Sequence, residues 1–505
     1  MLHGDLPASM AATMTRAAAN IACPGAVAAR GRIRALPCFV GTVLFSRLFS
    51  PVARLLRRLL LKDLFVLAWP VFVAQLAVMA NSLIDTLMVG RYSTLDLAAV
   101  GVGSAMYFSV FVGFMGVLLA LSPIAAQLYG AGRHGEIGEQ VRQSAWLGVL
   151  LSVLCVAVLR WPDPLLAITQ LEPAVEAKTR AYLNAMSWAV PAALAFRVFH
   201  GFSTAVSRPR TLMMLNLFGL ALKVPLNYVF MYGYFGAPEM GGVGCGVATA
   251  IVFWVVCVIS WAWAGWHPDY RRYRVFARWS WPHWRTLWQI LSLGLPIGIT
   301  FFVDVTGFTF MALFIARLGT LQSAAHQIAA NFAAILFMLP LAMGNAGSVL
   351  VGQAIGAGDL RRARATGLSA IAAGVAIGLV IAVLVSLGAE GIARLYTLDD
   401  GVARLAGGLL ALVAIYHVFD AVQAVAVNVL RGYKRALIPM LIYAFALWGV
   451  GLGGGYTLGL TDWLGPARGA AGFWMAAVAS LLLAGGMVSA YFALVSTQAI
   501  RQKTQ

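Results

Sequence analysis

Of the eighteen acidic residues in this chain, three stand inside runs that are otherwise apolar: Asp85, Asp304 and Asp420. The last lies in AIYHVFDAVQAVAV, residues Ala414 to Val427. A charge near the centre of a bilayer span costs about 2.5–3.5 kcal/mol on insertion scales, so each carboxylate needs a partner or spends part of its time neutral. Each also sits on a polar stripe. Tyr416, Asp420 and Gln423 share one helical face by their i, i+4, i+7 spacing. Thr300, Phe301, Asp304, Gly307, Phe308 and Met311 share another, and Asn81, Ser82, Asp85 and Met88 a third. Hydroxyl, amide and carboxylate oxygens gathered in an apolar helix suit a hard monovalent cation or an exchanging proton. The competing reading is that each aspartate only hydrogen-bonds a neighbouring helix.

Other chemistries lack their residues. There is no GxxxxGK[ST] phosphate loop, so direct ATP hydrolysis is not expected. Asp399 and Asp400 form a lone acidic loop, and His200, His326 and His417 are scattered, each expected to be a hydrogen-bonded histidine rather than a ligand. The five cysteines, Cys23, Cys38, Cys155, Cys245 and Cys257, show no metal spacing. No cofactor is expected. GLGGG at 451–455 reads as close helix packing.

The elements that hold these residues are membrane helices. The chain has 505 residues, 61% hydrophobic and only 11% charged, with a mean hydropathy of +0.84; soluble domains are about 25% charged. Apolar runs of roughly 20 residues recur twelve times. They lie at about 64–89, 101–126, 140–159, 180–200, 211–233, 245–266, 288–315, 324–346, 366–388, 405–430, 437–460 and 470–496. The net charge of +18 is distributed by side. Seventeen Lys and Arg fall in the even-numbered connections and the C-terminus, against eight on the opposite face. This positive-inside bias predicts a multi-pass protein of the inner membrane with both termini cytoplasmic, touching anionic lipid and not nucleic acid.

The chain also repeats itself. AAQLYGAGR (125–133) matches VGQAIGAGD (351–359), pairing Gln127 with Gln353 at an offset of 226 that recurs at Pro70 and Pro296 and at Gly246 and Gly472. Six spans per half, an even number, make the halves parallel repeats about an axis along the membrane normal. The expected fold is therefore an all-α polytopic membrane protein, twelve transmembrane helices in two parallel-repeat six-helix lobes with a central cleft. Its expected parts are a basic cytoplasmic tail at 1–62, partly disordered or an interfacial helix around SRLFSPVARLLRRLLLK; an N-lobe at 63–266; a cytoplasmic linker at 267–287; a C-lobe at 288–496; and a cytoplasmic tail at 497–505.

IDTLMVG in span 1, LLALSPIAAQLYGAGR after span 2, FGAPEMGGVGCGVATAI before span 6, AAHQIAANF in span 8, and IYHVFDAVQ followed by LRGYKRA at span 10 together resemble the MATE (multidrug and toxic compound extrusion) family, in its NorM branch. The resemblance covers about residues 64–495. It implies a monomeric antiporter, not an enzyme, that exports amphipathic and often cationic drugs in exchange for Na⁺ or H⁺. It puts Asp420 and Tyr416 on the C-lobe cation-site positions, where Asp304 would join them as Na⁺ ligands if Na⁺ is the coupling ion. Asp304 stands where the NorM pattern usually has the longer glutamate. Asp85 falls on the family's N-lobe carboxylate. Phe301, Phe308, Met311 and Gln423 are the expected walls of the drug cleft. Span 5 departs from the pattern: LALKVPLNYVF carries Lys223, with Asn227 retained. An ammonium four residues before Asn227 on the same face is expected either to pair with Asp85, occupy the N-lobe site and shift coupling to the C-lobe, or to snorkel or face a wet cleft. The alternatives are a lipid-linked precursor flippase of the same superfamily and, more remotely, a membrane-embedded lipid-modifying enzyme.

Overall fold

The computed structural model describes residues 51–505 apart from 170 and 464, so most of the expected basic tail lies outside the described residues. The chain divides into Met1–Arg57 and Arg58–Gln505. In the first unit, residues 51–57 are helical. The second unit is a bundle of long helices, and among the described residues there is no β-strand.

Twelve crossings follow one another: α1 (Pro51–Tyr92), α2 (Thr94–Gly130), α3 (His134–Arg160), α4 (Pro173–Ser187, then Ala189–Ala205), α5 (Pro209–Tyr232), α6 (Gly242–Trp266), α7 (Trp284–Ala316), α8 (Thr320–Gly356), α9 (Leu360–Tyr396), α10 (Asp400–Gly432), α11 (Leu437–Leu460) and α12 (Ala470–Thr504). Among the described residues, eleven are single helices long and apolar enough to span a membrane. The fourth is broken at Trp188, and neither piece, of 15 and 17 residues, crosses alone. The predicted start of the N-lobe at residue 63 falls inside the continuous helix α1.

The helices outrun the predicted spans. α8 has 37 residues, about 55 Å at 1.5 Å per residue, against a hydrocarbon core of about 30 Å. Hydropathy reports only the apolar middle, whereas the hydrogen-bonded helix continues past the lipid. Ends are set locally: Ser93 and Asp399 accept from the backbone N–H groups of Asp96 and Val402 and cap α2 and α10. α11 widens into a π-helix over Phe445–Gly453. Its glycines serve packing, as expected, with Gly455 lying where any Cβ would strike the Phe473 ring of α12.

The apolar core has a shape that matters for function. One buried cluster takes in the first half of the chain and, from the second half, only residues at the end that carries the 267–283 linker, such as Ile290, Ile297, Val349 and Leu430. A second cluster, including Val303, Ala333, Val413 and Trp474, is confined to the other end of the second half. The two lobes thus share a core at the linker end and have separate cores at the far end. At the shared end α2 and α7 cross at backbone distance. A Cβ on Gly116 would lie 2.5 Å from the Gly298 Cα, and one on Gly298 would lie 2.5 Å from the Gly113 carbonyl oxygen.

Candidate functional site

The C-lobe carboxylates are held by α7 and α10. On α7, Phe302, Phe310 and Leu313 are exposed on the outward face of the bundle, which turns the 300–304–311 stripe inward. Asp304 lies half-buried there, and its Oδ1 accepts a 2.6 Å hydrogen bond from the Tyr443 hydroxyl of α11. On α10 the neighbouring Ile415 is half exposed, whereas Tyr416, Asp420 and Gln423 are at most 5% exposed. Phe308, one turn on from Asp304, meets the Tyr416 ring at 6.4 Å, and Gln423, three residues on from Asp420, lines the same pocket as Asp304. The structure therefore turns the Asp304 stripe of α7 and the Tyr416–Asp420–Gln423 stripe of α10 towards one another.

Below them, towards the linker end, a small open pocket lies between α7, α8, α10 and α11. Thr300, Phe301, Asp304, Phe337, Gln423, Asn428, Arg431 and Tyr443 line it. Of the four expected cleft residues, Phe301 and Gln423 line this cavity. Phe308 and Met311 belong to the C-lobe core instead. The Phe308 ring meets Tyr416 and Trp474 edge-on, and Trp474 in turn meets Tyr416 at 5.5 Å, so these rings fix the Tyr416 side chain.

Two members of this site escaped the sequence reading. Tyr443 stands in the apolar run LIYAFALWG, and its only signal was a hydroxyl inside a span. Arg431, counted among the loop bases, is 6% exposed in the last turn of α10. Its Nη1 donates to Asn428 Oδ1 at 2.9 Å, and its guanidinium lies 5.4 Å from the centre of the Phe301 ring. Arg431 and Asn428 also line a second small pocket between the lobes, beside Ser122, His200 and Thr204.

The N-lobe carboxylate is engaged by protein. Lys223 Nζ lies 3.0 Å from Asp85 Oδ2 and also donates to the Cys245 carbonyl at 3.2 Å and to the Thr249 hydroxyl. Asn227 Nδ2 donates to Asp85 Oδ1 at 2.8 Å. The lysine is 1% exposed, and its three protons have three acceptors. Pairing with Asp85, one of the two outcomes expected from the span-5 departure, is what the structure contains. Asn227 Oδ1 is a buried acceptor with no donor. A separate ion pair, Lys178 with Asp96, ties the outer ends of α2 and α4, where Asp96 also accepts from the Gly242 N–H.

Among the described residues, no three His, Cys, Asp or Glu side chains gather to hold a metal ion. The three in-span histidines are not satisfied as expected: His200 Nδ1, His326 Nδ1 and His417 Nε2 each lack a protein partner. Carboxylate and phenol oxygens, the donor set at Asp304, Asp420, Tyr416 and Tyr443, fit a hard monovalent cation or a proton.

Comparison with known proteins places the chain. The MatE family model matches it twice, over residues 70–229 and 296–457, and the two matches begin at Pro70 and Pro296, the repeat-related prolines. A probable multidrug resistance protein NorM of Aromatoleum aromaticum is 43% identical over 427 residues, 83% of this chain and 91% of that one. The multidrug resistance protein PmpM of Pseudomonas aeruginosa is 38% identical over 454 residues, 90% and 95% of the two chains. Among solved structures, the MATE transporter NorM-NG superposes with a TM-score of 0.75 at 32% identity, over 87% of this chain and 95% of that one. The eukaryotic MATE transporter AtDTX14 shares the fold at a TM-score of 0.80 and 16% identity, over 88% and 99%.

Proposed function

Because this chain belongs to the MatE family, and is therefore a multi-pass membrane transporter rather than an enzyme, we propose that it is an antiporter that exports amphipathic, often cationic, drugs in exchange for Na⁺ or H⁺. The observation that carries this reading is the facing of two stripes in the C-lobe, that of Asp304 with Tyr443 on its carboxylate and that of Tyr416 and Asp420. The multidrug resistance names of its relatives support drugs as the cargo. No organic cofactor takes part.

The excess of basic residues at the linker end supports both termini being cytoplasmic in an inner membrane, with those bases against anionic lipid. Residues 63–266 and 288–496 act as the two lobes, 267–287 as the cytoplasmic linker, and the unit works as a monomer. With a shared core at the cytoplasmic end and separate cores beyond it, the cleft faces outward.

Two nearby carboxylates in a medium of low dielectric resist joint ionisation. A cation arriving from outside stabilises the pair, taking oxygens from Asp304, Asp420 and Tyr416. The drug, which competes for the same negative charge above Phe301 and Gln423, leaves. The ion-loaded lobes rock inward, release the ion to the cytoplasm and load the next drug. Since a ligand shifts such an equilibrium only by its differential affinity for the two states, ion and drug must each prefer a different one. In the N-lobe, Lys223 already supplies the positive charge to Asp85, so the C-lobe pair carries the coupling.

The test is export of ethidium from drug-sensitive cells. Asp420→Asn, expressed at the level of the parent, is expected to abolish export; parental export by that variant would refute the coupling role.

A further inference from the structure

The AAQLYGAGR and VGQAIGAGD motifs revealed the duplication but have no part in the ion or drug site. We propose that their glutamines, Gln127 and Gln353, form a crossed latch that positions the lobes in the state closed at the linker end, each capping a helix of the opposite half.

The two contacts are the same contact made twice. Gln127 Nε2, from α2 in the first half, donates to the Gly432 carbonyl at 2.9 Å, and Gly432 is the last residue of α10. Gln353 Nε2, from α8 in the second half, donates at 2.8 Å to the carbonyl of Ala205, the last residue of α4, and at 2.8 Å to the Ser207 hydroxyl. The last carbonyls of a helix have no partner within it, so a donor from across the interface meets a standing need. Each acceptor lies two residues before a non-glycine residue of positive φ, Ser207 at 60° and Lys434 at 57°, that turns the chain out of α4 or α10. The glycines of the same motifs let the backbones meet. A Cβ on Gly130 would fall 1.9 Å from the Gln353 carbonyl oxygen, and one on Gly356 would fall 1.9 Å from that of Gln127. α2 and α8 therefore touch at the two glutamines, and the lobes cannot part there with either hydrogen bond intact. Once parted, both amides and both carbonyls turn to water, so the latch weighs the closed state by a modest and tunable amount.

This inference rests on the rocking motion proposed above, and the experiment separates the two. Spin labels are placed at repeat-related exposed positions: Gly135→Cys with Arg361→Cys at the linker end, and Gly101→Cys with Gln327→Cys at the far end. The background has its five native cysteines replaced by alanine, and the protein is reconstituted in lipid nanodiscs. Distance distributions are measured at high and low pH, with and without Na⁺. The parent is expected to show two linker-end distances whose ratio follows pH or Na⁺; one fixed distance under every condition refutes the rocking reading. Gln127→Leu and Gln353→Leu are each expected to raise the long-distance share relative to the short by about fivefold, and the pair together by more than either alone. The far-end pair should move the opposite way. Gln127→Glu and Gln353→Glu, isosteric but without the amide donor, are expected to behave alike and to guard against a packing defect in the leucine variants. Two distances in the parent with unaltered ratios in all these variants, or a linker-end change with no reciprocal change at the far end, would refute the latch alone.

Discussion

Removal of the Lys223 ammonium is the perturbation whose size the structure sets most closely. Lys223 Nζ is 3.0 Å from Asp85 Oδ2, with side-chain exposures of 2% and 15%, so the pair is close to fully withdrawn from solvent. Removing one partner of a buried pair leaves the other charge unpaired and costs about 3–5 kcal/mol, whereas removing both leaves no stranded charge. Lys223→Met strands the Asp85 carboxylate; Asp85→Asn strands the ammonium, whose remaining acceptors, the Cys245 carbonyl and the Thr249 hydroxyl, carry no formal charge. Each single variant is expected to lose about 3 kcal/mol. The double variant should lose about 1 kcal/mol, giving a coupling energy on the order of 5 kcal/mol. The assay is SDS-driven unfolding in mixed micelles followed by tryptophan fluorescence. The reasoning fails if the double variant is as unstable as the two losses added together, to within about 0.5 kcal/mol; the two groups would then not be an energetic pair.

Other expectations follow from the same contacts. Tyr443→Phe deletes the one hydrogen-bond donor to Asp304 among the described residues and should change the half-maximal coupling-ion concentration by about tenfold or more, since a hydrogen bond to a charged group contributes about 1.5–3 kcal/mol; ion titration of transport rate checks it. Gly116→Val puts side-chain atoms where the Gly298 backbone lies and is expected to stop transport while the protein still elutes at the parent's position as a single symmetric peak. Arg431→Lys keeps the charge but loses the planar group over Phe301 and the bond to Asn428. It should lower drug transport several-fold at unchanged expression, measured as initial rates in proteoliposomes.

The sequence made some of this legible because membrane physics leaves few options. Apolar length gave the crossings, and a constant offset gave the two lobes. The Lys223–Asp85 contact was half legible: a lysine within a span needs either an acid or a wet cleft, and only the packing of α5 against α1 decides for the acid. What was not readable depended on packing in three dimensions. The break at Trp188 precedes Pro191 by three residues, and proline lacks the N–H and crowds the preceding turn; apolar length alone passes over that signal. Tyr443 resembles any tyrosine in an apolar helix until α11 is set against α7. Arg431 stands at a span end, where most arginines reach solvent, and only the closure of the two lobes buries it. Phe308 and Met311 share the Asp304 stripe, yet a stripe about 100° wide has two flanks, and theirs packs on Trp474 and the C-lobe core.

Coupling of ion to drug through the C-lobe carboxylates is reached directly by one measurement. Purified protein in liposomes is given an imposed Na⁺ gradient and, separately, a pH gradient, and uptake of a fluorescent organic cation is followed. One of the two gradients is predicted to drive accumulation above equilibrium, with loss of that accumulation in Asp304→Asn and Asp420→Asn. Accumulation by both variants at the parent's rate, or equilibration without accumulation under either gradient, would contradict it.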